Sequence, residues 1–137
     1  RRVYASEEGL RKGGYIISNV ENPDVVIFSS GSEVSLALDV KDILTDYSIK
    51  VVNLSCWELF EEQSQSYKDS VLNSGNALLV SVEAGITDGW QKFTGRYGLN
   101  IGIDRYGASG PGSKVAEYLE LTSKHVADKI KLELLSI

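Results

Sequence analysis

The stretch that most limits the fold of this chain is DVVIFSSGSEVSLAL, at positions 24–38. Its four consecutive apolar residues at 25–28 are typical of a strand buried on both faces, as in a parallel sheet. The small residues at 29–32 predict a tight turn, after which the apolar spacing lengthens to that of one helix face. That helix face consists of Leu36, Val40, Ile43, Leu44 and Tyr47.

The rest of the chain alternates strands with helices, which predicts an α/β fold with a mostly parallel sheet and helices on both faces. The predicted strands are residues 15–20, 24–29, 49–54, 77–82 and 100–106. The predicted helices are residues 31–46, 64–73, 113–120 and a last one that begins at the N-cap Thr122, with short helical turns at 57–60 and 90–93. We expect residues 1–14 to be a linker from a preceding domain and residues 15–137 to form one domain.

Composition narrows the class of protein. The chain of 137 residues is 42% hydrophobic, which indicates a globular domain with a core rather than a disordered segment. Its net charge is −5 and it has no basic stripe, which argues against a nucleic-acid partner. No apolar run reaches about 18 residues, so no membrane partner is expected. The single cysteine, Cys56, favours a reducing, cytoplasmic location, and the absence of any Met predicts a fragment of a longer protein.

The turn at 29–33 has two interpretations. Backbone N–H groups and a helix dipole meet at such a turn, which favours an anion site formed by Ser30, Gly31, Ser32 and Glu33, with Glu83 beside it. However, the turn lacks the Lys of a phosphate-binding loop and the spaced glycines of a dinucleotide fingerprint. Ser30 and Glu33 also have the S-x-x-E spacing of a capping box, in which the two side chains satisfy the helix start themselves. The capping box is the favoured interpretation.

Glu83 follows the apolar run of the fourth predicted strand, so it is expected at the sheet edge where α/β proteins usually bind ligands. A carboxylate there can pair with Arg105 or Arg96, cap the following helix, or contact a ligand or a partner. A structural pairing or cap is favoured over a ligand role.

The remaining candidates for chemistry are isolated. His125 is the single histidine and has no acidic or nucleophilic neighbour in sequence, so a surface position is expected. Cys56 is expected to fill a small buried space. No metal-ligand spacing is present, which predicts no bound metal. Four large aromatic residues recur in pairs at i, i+3, which favours packing in the core or at a domain interface over stacking on nucleotides. These are Trp57, Phe60, Trp90 and Phe93.

Four segments in register resemble one known family. They are GSEVSLAL (31–38), NLSCWELFEEQSQSYKDSVL (53–72), SVEAGITDGW (81–90) and GIDRYGASGP (102–111). Together they are similar to the C-terminal domain of transketolase, and the resemblance covers residues 15–135. The chain departs from the family at Cys56, where members more often carry a small or hydroxylated residue, and in the loop at 109–111, where many bacterial members have Ala in place of Gly.

The resemblance implies a three-layer α/β/α sandwich with a five-stranded mixed sheet of order 1-3-2-4-5, whose first strand is antiparallel. It implies that the parent enzyme is a homodimeric transferase of the pentose phosphate pathway, which moves two-carbon ketol units between sugar phosphates. It also implies that thiamine diphosphate and a divalent cation (Mg or Ca) bind to the preceding domains. No catalytic, cofactor-binding or metal-binding residue is then expected here.

From the resemblance we expect this domain to pack against the preceding domains, to support the dimer, and to be inactive alone. The rival hypothesis is a regulatory module that binds an anion or another small molecule at the turn of residues 29–33.

Overall fold

A computed structural model of the chain describes residues 12–30, 33–72, 75–84, 91–95, 98–103 and 112–136. The strands are Tyr15–Ser18 (β1), Val25–Ser29 (β2), Ile49–Asn53 (β3), Leu78–Ala84 (β4) and Leu99–Ile103 (β5). The helices are Glu33–Ile43 (α1), Trp57–Glu61 (α2), Gln65–Leu72 (α3), Gln91–Thr94 (α4) and Gly112–Ser136 (α5).

The five strands form one sheet in the order β1-β3-β2-β4-β5. The edge strand β1 runs antiparallel to β3, while β3, β2, β4 and β5 are mutually parallel. Every residue of the central strand β2 is buried, because its apolar run is covered from both sides. The predicted strand order and the antiparallel first strand are confirmed.

One side of the sheet, here called the aliphatic face, is covered by α1 and α5. Its buried hydrophobic members are all aliphatic: Val25, Ile27, Leu36, Ala37, Val40, Leu44, Ile49, Val51, Leu78, Val80, Val82, Ile101, Val126, Ala127 and Ile130. The helix period recognised in the sequence places Leu36, Val40 and Leu44 against the sheet. Ile43, which the same pattern assigned to the buried side, is exposed at the end of α1.

The other side, here called the aromatic face, is covered by the short helices α2, α3 and α4. Its buried members are Val26, Phe28, Val52, Leu54, Phe60, Val71 and Phe93. The ring of Phe93 lies 6.4 Å from that of Phe60, 6.3 Å from that of Phe28 and 5.0 Å from that of Trp57, in tilted or edge-to-face geometry. Helices on both faces confirm the predicted three-layer sandwich.

The C-terminal helix differs from its prediction. The sequence was expected to form a helix at 113–120 and a second one capped by Thr122, but α5 is a single helix from Gly112 to Ser136. Thr122 therefore lies inside the helix and is not an N-cap. The physical reason is that no Gly or Pro follows Gly112 in this segment, and extending a helix fixes one residue for each hydrogen bond gained.

Smaller differences concern the ends of elements. Helix α1 is described from Glu33 to Ile43 rather than to residue 46, and β4 extends through Glu83 to Ala84 rather than ending at residue 82. Residues 104–106, predicted as the end of the last strand, and the loop at 109–111 lie outside the described residues. In the part of the chain that the structure describes, no helix combines the length and the apolar content needed to cross a bilayer.

Two glycines directly before β1 pack closely against α2 and α3. Gly13 and Gly14 are both buried, and Gly13 has a positive φ of +78°. A Cβ atom at Gly13 would lie 2.6 Å from the backbone N of Phe60, which leaves no room for a side chain. The Gly13 carbonyl accepts a hydrogen bond from Cys56 N–H at 2.9 Å, and the Gly14 carbonyl accepts one from Tyr67 Oη at 2.6 Å. Residues 1–11 of the predicted linker lie outside the described residues.

Candidate functional site

The carboxyl ends of β2 and β4 meet at one edge of the sheet, and there the structure joins two of the predicted site residues. Ser30 directly follows β2, and Glu83 is the penultimate residue of β4. Ser30 Oγ donates a hydrogen bond to Glu83 Oε2 at 2.6 Å across 53 residues of sequence. A short bond to a carboxylate is among the stronger hydrogen bonds in proteins. Gly31 and Ser32 lie outside the described residues.

Glu33 opens α1 and is only 3% exposed. Its backbone N–H donates to the Ser30 carbonyl oxygen at 3.1 Å. The predicted capping box is therefore wrong in its serine half, because the Ser30 hydroxyl donates to Glu83 and the Glu33 amide is bonded to the Ser30 carbonyl instead. The S-x-x-E pattern identifies the helix start correctly, but it contains no information about a carboxylate that arrives from β4.

Two carboxylates, those of Glu33 and Glu83, contribute negative charge at this edge. Glu83 accepts from Ser30, and the buried Glu33 carboxylate belongs to the first turn of α1, where the helix dipole favours negative charge. A bound anion would add a third negative group beside these two. The anion site stays a prediction, because Gly31 and Ser32 of its turn lie outside the described residues. Arg96 and Arg105, the partners considered for Glu83, lie outside the described residues.

A second polar group lies nearby on the aromatic face, and sequence reasoning missed it. Asn100 Oδ1 accepts hydrogen bonds from Ser81 Oγ at 2.7 Å and from Thr94 Oγ1 at 2.9 Å. Ser81 and Thr94 are both buried. These bonds connect β4, β5 and α4, so their donors and acceptor are occupied in holding the sheet together. The only sequence signal was a serine inside the otherwise apolar run of β4.

The opposite edge, at the amino ends of the parallel strands, carries two open cavities of about 520 Å³ and about 300 Å³. Both are lined by Asn22, Pro23 and Gly75, and the smaller one also by Lys50. Lys50 is 3% exposed in β3, and its Nζ donates to the Ser70 carbonyl at 3.5 Å, at the end of α3.

Burial lowers the pKa of Lys50, because a low-dielectric environment disfavours the charged ammonium. The contact of its ammonium with a carbonyl near the C-terminal end of α3 explains why a charged group is tolerated there. The sequence signal that was missed is the lysine in the otherwise apolar run IKVV at 49–52.

The other candidates are separate from these groups. His125 is exposed on α5. Cys56 is half-buried at the N-cap of α2 and its side chain makes no capping hydrogen bond. Phe60 and Phe93 are buried in the aromatic cluster with Trp57, as predicted, whereas Trp90 lies outside the described residues. Among the described residues, no three His, Cys, Asp or Glu side chains converge in a way that could hold a metal ion.

Comparison with known proteins identifies the family. Residues 13–122 match the family model described as the transketolase-like TK C-terminal domain. The chain is 49% identical over 133 residues to the transketolase of Aquifex aeolicus, covering 95% of this chain and 19% of that protein. It is 44% identical over 131 residues to the chloroplastic transketolase of Solanum tuberosum, covering 92% of this chain and 18% of that protein.

A solved structure gives the same assignment. The chain superposes with a TM-score of 0.80 and 34% identity on the transketolase of Pichia stipitis crystallised with sedoheptulose 7-phosphate, covering 98% of this chain and 20% of that one. The chain thus spans about a fifth of the length of the relatives it matches. The chain belongs to the transketolase family, a family of transferases, and corresponds to its C-terminal domain.

Proposed function

We propose that this chain serves as the non-catalytic C-terminal domain of a transketolase, with a structural role in packing against the preceding domains and supporting the dimer. The proposal rests on how much of each relative this chain matches. Nearly the whole chain aligns with transketolases, yet it corresponds to about a fifth of their length. The remaining four-fifths is where the cofactor and the reacting sugar would be bound.

The chemistry of the parent enzyme forms part of the proposal. The parent would transfer a two-carbon ketol unit between sugar phosphates of the pentose phosphate pathway, with thiamine diphosphate and a divalent cation held by the preceding domains. One related solved structure contains sedoheptulose 7-phosphate, a sugar phosphate of that kind. We also propose a cytoplasmic location for the parent, although five of the curated relatives are named as chloroplastic.

The contacts at the carboxyl edge support a structural role. Ser30 and Glu83 bind each other, and Ser81 and Thr94 both bind Asn100. These five polar side chains of the edge thus connect strands and a helix. Such satisfied networks rigidify a domain, which suits a module that has to present fixed surfaces to its neighbours.

Exposed apolar side chains supply surfaces for such packing. Leu132 and Leu135 are 69% and 70% exposed, and because they lie three positions apart on α5 they share one side of that helix. Ile43 and Leu59 are also exposed. Large exposed apolar groups are stabilised when another domain or subunit covers them.

The role in dimer support can be tested by deletion. We would compare the full-length parent with a version that lacks residues 12–137, using light scattering over a range of concentrations. Loss of supporting contacts is expected to raise the dimer dissociation constant at least about tenfold, equivalent to about 1.4 kcal/mol. Circular dichroism of the shortened enzyme checks that its remaining domains are folded. An unchanged dissociation constant in a folded truncated enzyme would refute the supporting role.

The alternative, an anion-binding regulatory module at the turn of residues 29–33, remains a proposal with less support. The buried Glu33 and the Glu83 carboxylate near Ser30 both oppose a further negative charge. Sulfate titration of wild type and Glu33→Ala separates the two ideas, because an anion site predicts tighter sulfate binding once the Glu33 carboxylate is removed. The structural interpretation predicts no saturable binding by wild type. Saturable binding by wild type, which the Ser30→Ala substitution weakens, would favour the regulatory module.

A further inference from the structure

Two buried polar atoms at the carboxyl edge of the aliphatic face have no hydrogen-bond partner in the protein. They are Ser29 Oγ and Asn53 Oδ1. Among the described residues, no other buried side-chain nitrogen or oxygen atom lacks a hydrogen-bond partner. Ser29 is fully buried and Asn53 is 6% exposed. Buried polar groups in native proteins are almost always paired, either with protein atoms or with ordered water.

The two atoms belong to neighbouring positions. Ser29 ends β2 and Asn53 ends β3, and the two residues are direct partners in the parallel register. Residues paired in this way project from the same side of the sheet, with Cα atoms about 5 Å apart. The side of the sheet is the aliphatic face, because Ile27 and Val51, two residues earlier in each strand, belong to that face.

The surroundings explain why neither atom finds a protein partner. The Asn53 amide is oriented by its other end, since Nδ2 donates to Tyr15 Oη of β1 at 3.1 Å. Oδ1 is then the unused acceptor of the same amide. On the far side of Ser29, the register partner in β4 is Val82, which is buried and has no polar side-chain atom.

We propose that one buried water molecule occupies this position and bridges Ser29 Oγ and Asn53 Oδ1. The pair offers one O–H donor and one carbonyl acceptor, and a water molecule can accept from the first while it donates to the second. Buried waters typically satisfy polar groups left over by the protein in this manner. A cation is the weaker fit, because a hard metal ion takes several oxygen ligands, and these two groups are both neutral.

The bridge would connect three strands at one edge. It joins β2 to β3, and the Asn53–Tyr15 hydrogen bond continues the connection to β1. Ser29 immediately precedes Ser30, whose hydroxyl binds Glu83 of β4. The water site therefore helps to hold the strand end from which the chain turns into α1, on the side of the sheet opposite the aromatic helices.

A high-resolution crystal structure of the full-length enzyme that contains this chain tests the proposal. We expect a spherical density peak about 2.7–3.2 Å from both Ser29 Oγ and Asn53 Oδ1. The same peak should disappear in Ser29→Val, whose extra methyl groups fill the space and remove the donor. It should remain in Ser66→Ala, the matched control, because Ser66 is exposed on α3.

Four results would overturn the proposal. One is the absence of a peak in wild type while the two atoms stay apart. Another is a direct hydrogen bond between Ser29 and Asn53, which would mean that the side chains satisfy each other. The third is a peak with shorter oxygen contacts that gives an anomalous signal after a rubidium soak, which would identify a monovalent cation. Persistence of the peak in Ser29→Val would also contradict the assigned partners.

Discussion

The two faces of the sheet achieve burial in different ways. The aliphatic face is covered by α1 and α5, which are 11 and 25 residues long, and its buried hydrophobic members are all Val, Leu, Ile or Ala. The aromatic face is covered by α2, α3 and α4, which are 5, 8 and 4 residues long. Three phenylalanines dominate that face: Phe28, Phe60 and Phe93.

This difference indicates which contacts stabilise the helices on each face. Helices as short as those of the aromatic face do not form alone, because nucleating a helix is costly and few bonds follow the nucleus. They must be held by large side chains, and an aromatic ring buries more area than any aliphatic group. We infer that stability is concentrated in a few contacts on the aromatic face and spread over many on the aliphatic face.

The largest expected effect comes from Phe60→Ala, because Phe60 is fully buried and its ring contacts Tyr67 and Phe93. The free energy of unfolding should fall by about 4 kcal/mol. Hydrogen exchange should also show loss of protection throughout α2 and α3. Ile130→Ala on the aliphatic face should cost about 3 kcal/mol while α5 remains protected. Equal, global loss of protection in both variants would contradict the inferred difference between the two faces.

Next in size is Gly13→Ala, which tests the backbone contact that anchors α2. The substitution places a Cβ against the backbone near Phe60 and forces a non-glycine residue into a positive φ. We expect a loss of about 3 kcal/mol in urea unfolding. Gly75→Ala is the matched control, since Gly75 also has a positive φ but has nothing within 4 Å of an added Cβ. The control should lose only about 1 kcal/mol, and similar losses at both sites would show that packing at Gly13 is unimportant.

A smaller effect is expected from the hydrogen bond between Ser30 and Glu83, which joins two strands rather than a face to its helices. Ser30→Ala should lower the free energy of unfolding by about 1.5 kcal/mol, as is typical of bonds to charged groups. In a double-mutant cycle with Glu83→Ala, which removes the acceptor, the two losses should not be additive. Full additivity would indicate that the two side chains do not interact in solution.

The smallest effect concerns Lys50 on the aromatic face, whose pKa is lowered by burial from the ordinary value of 10.5. Between its folded pKa and pH 10.5 the unfolded chain binds the proton and the folded chain does not, so stability from this residue rises with pH. The stability of wild type relative to Lys50→Met should therefore improve as pH is raised toward 10.5. Lys129→Met controls for the loss of one charge, because Lys129 is exposed on α5. A relative stability of wild type that falls with pH would contradict a lowered pKa.

Local patterns predicted the local parts of the structure. The apolar run at 25–28 and the helix spacing after it identified β2 and most of α1, because each depends on neighbours in sequence. The strand order followed from the family resemblance and not from periodicity. Thr122 misled the prediction, because a residue that favours helix starts also fits inside a helix that nothing interrupts.

Long-range polar contacts were beyond local reasoning. The partner of Ser30 lies 53 residues away, and Ser81 meets Asn100 across 19 residues. No local pattern specifies which distant side chain reaches a given hydroxyl, because that depends on strand order and register together. Glu83 was correctly expected at the carboxyl edge, since that position follows from the end of an internal strand.

The central claim is that this chain supports a transketolase without binding the cofactor itself. Titration calorimetry with thiamine diphosphate and Mg²⁺ tests it most directly, with the full-length parent and the isolated 137-residue chain measured side by side. We predict saturable binding by the parent and no binding heat from the isolated chain, whose fold is checked by circular dichroism. Micromolar binding by the folded isolated chain would contradict the account.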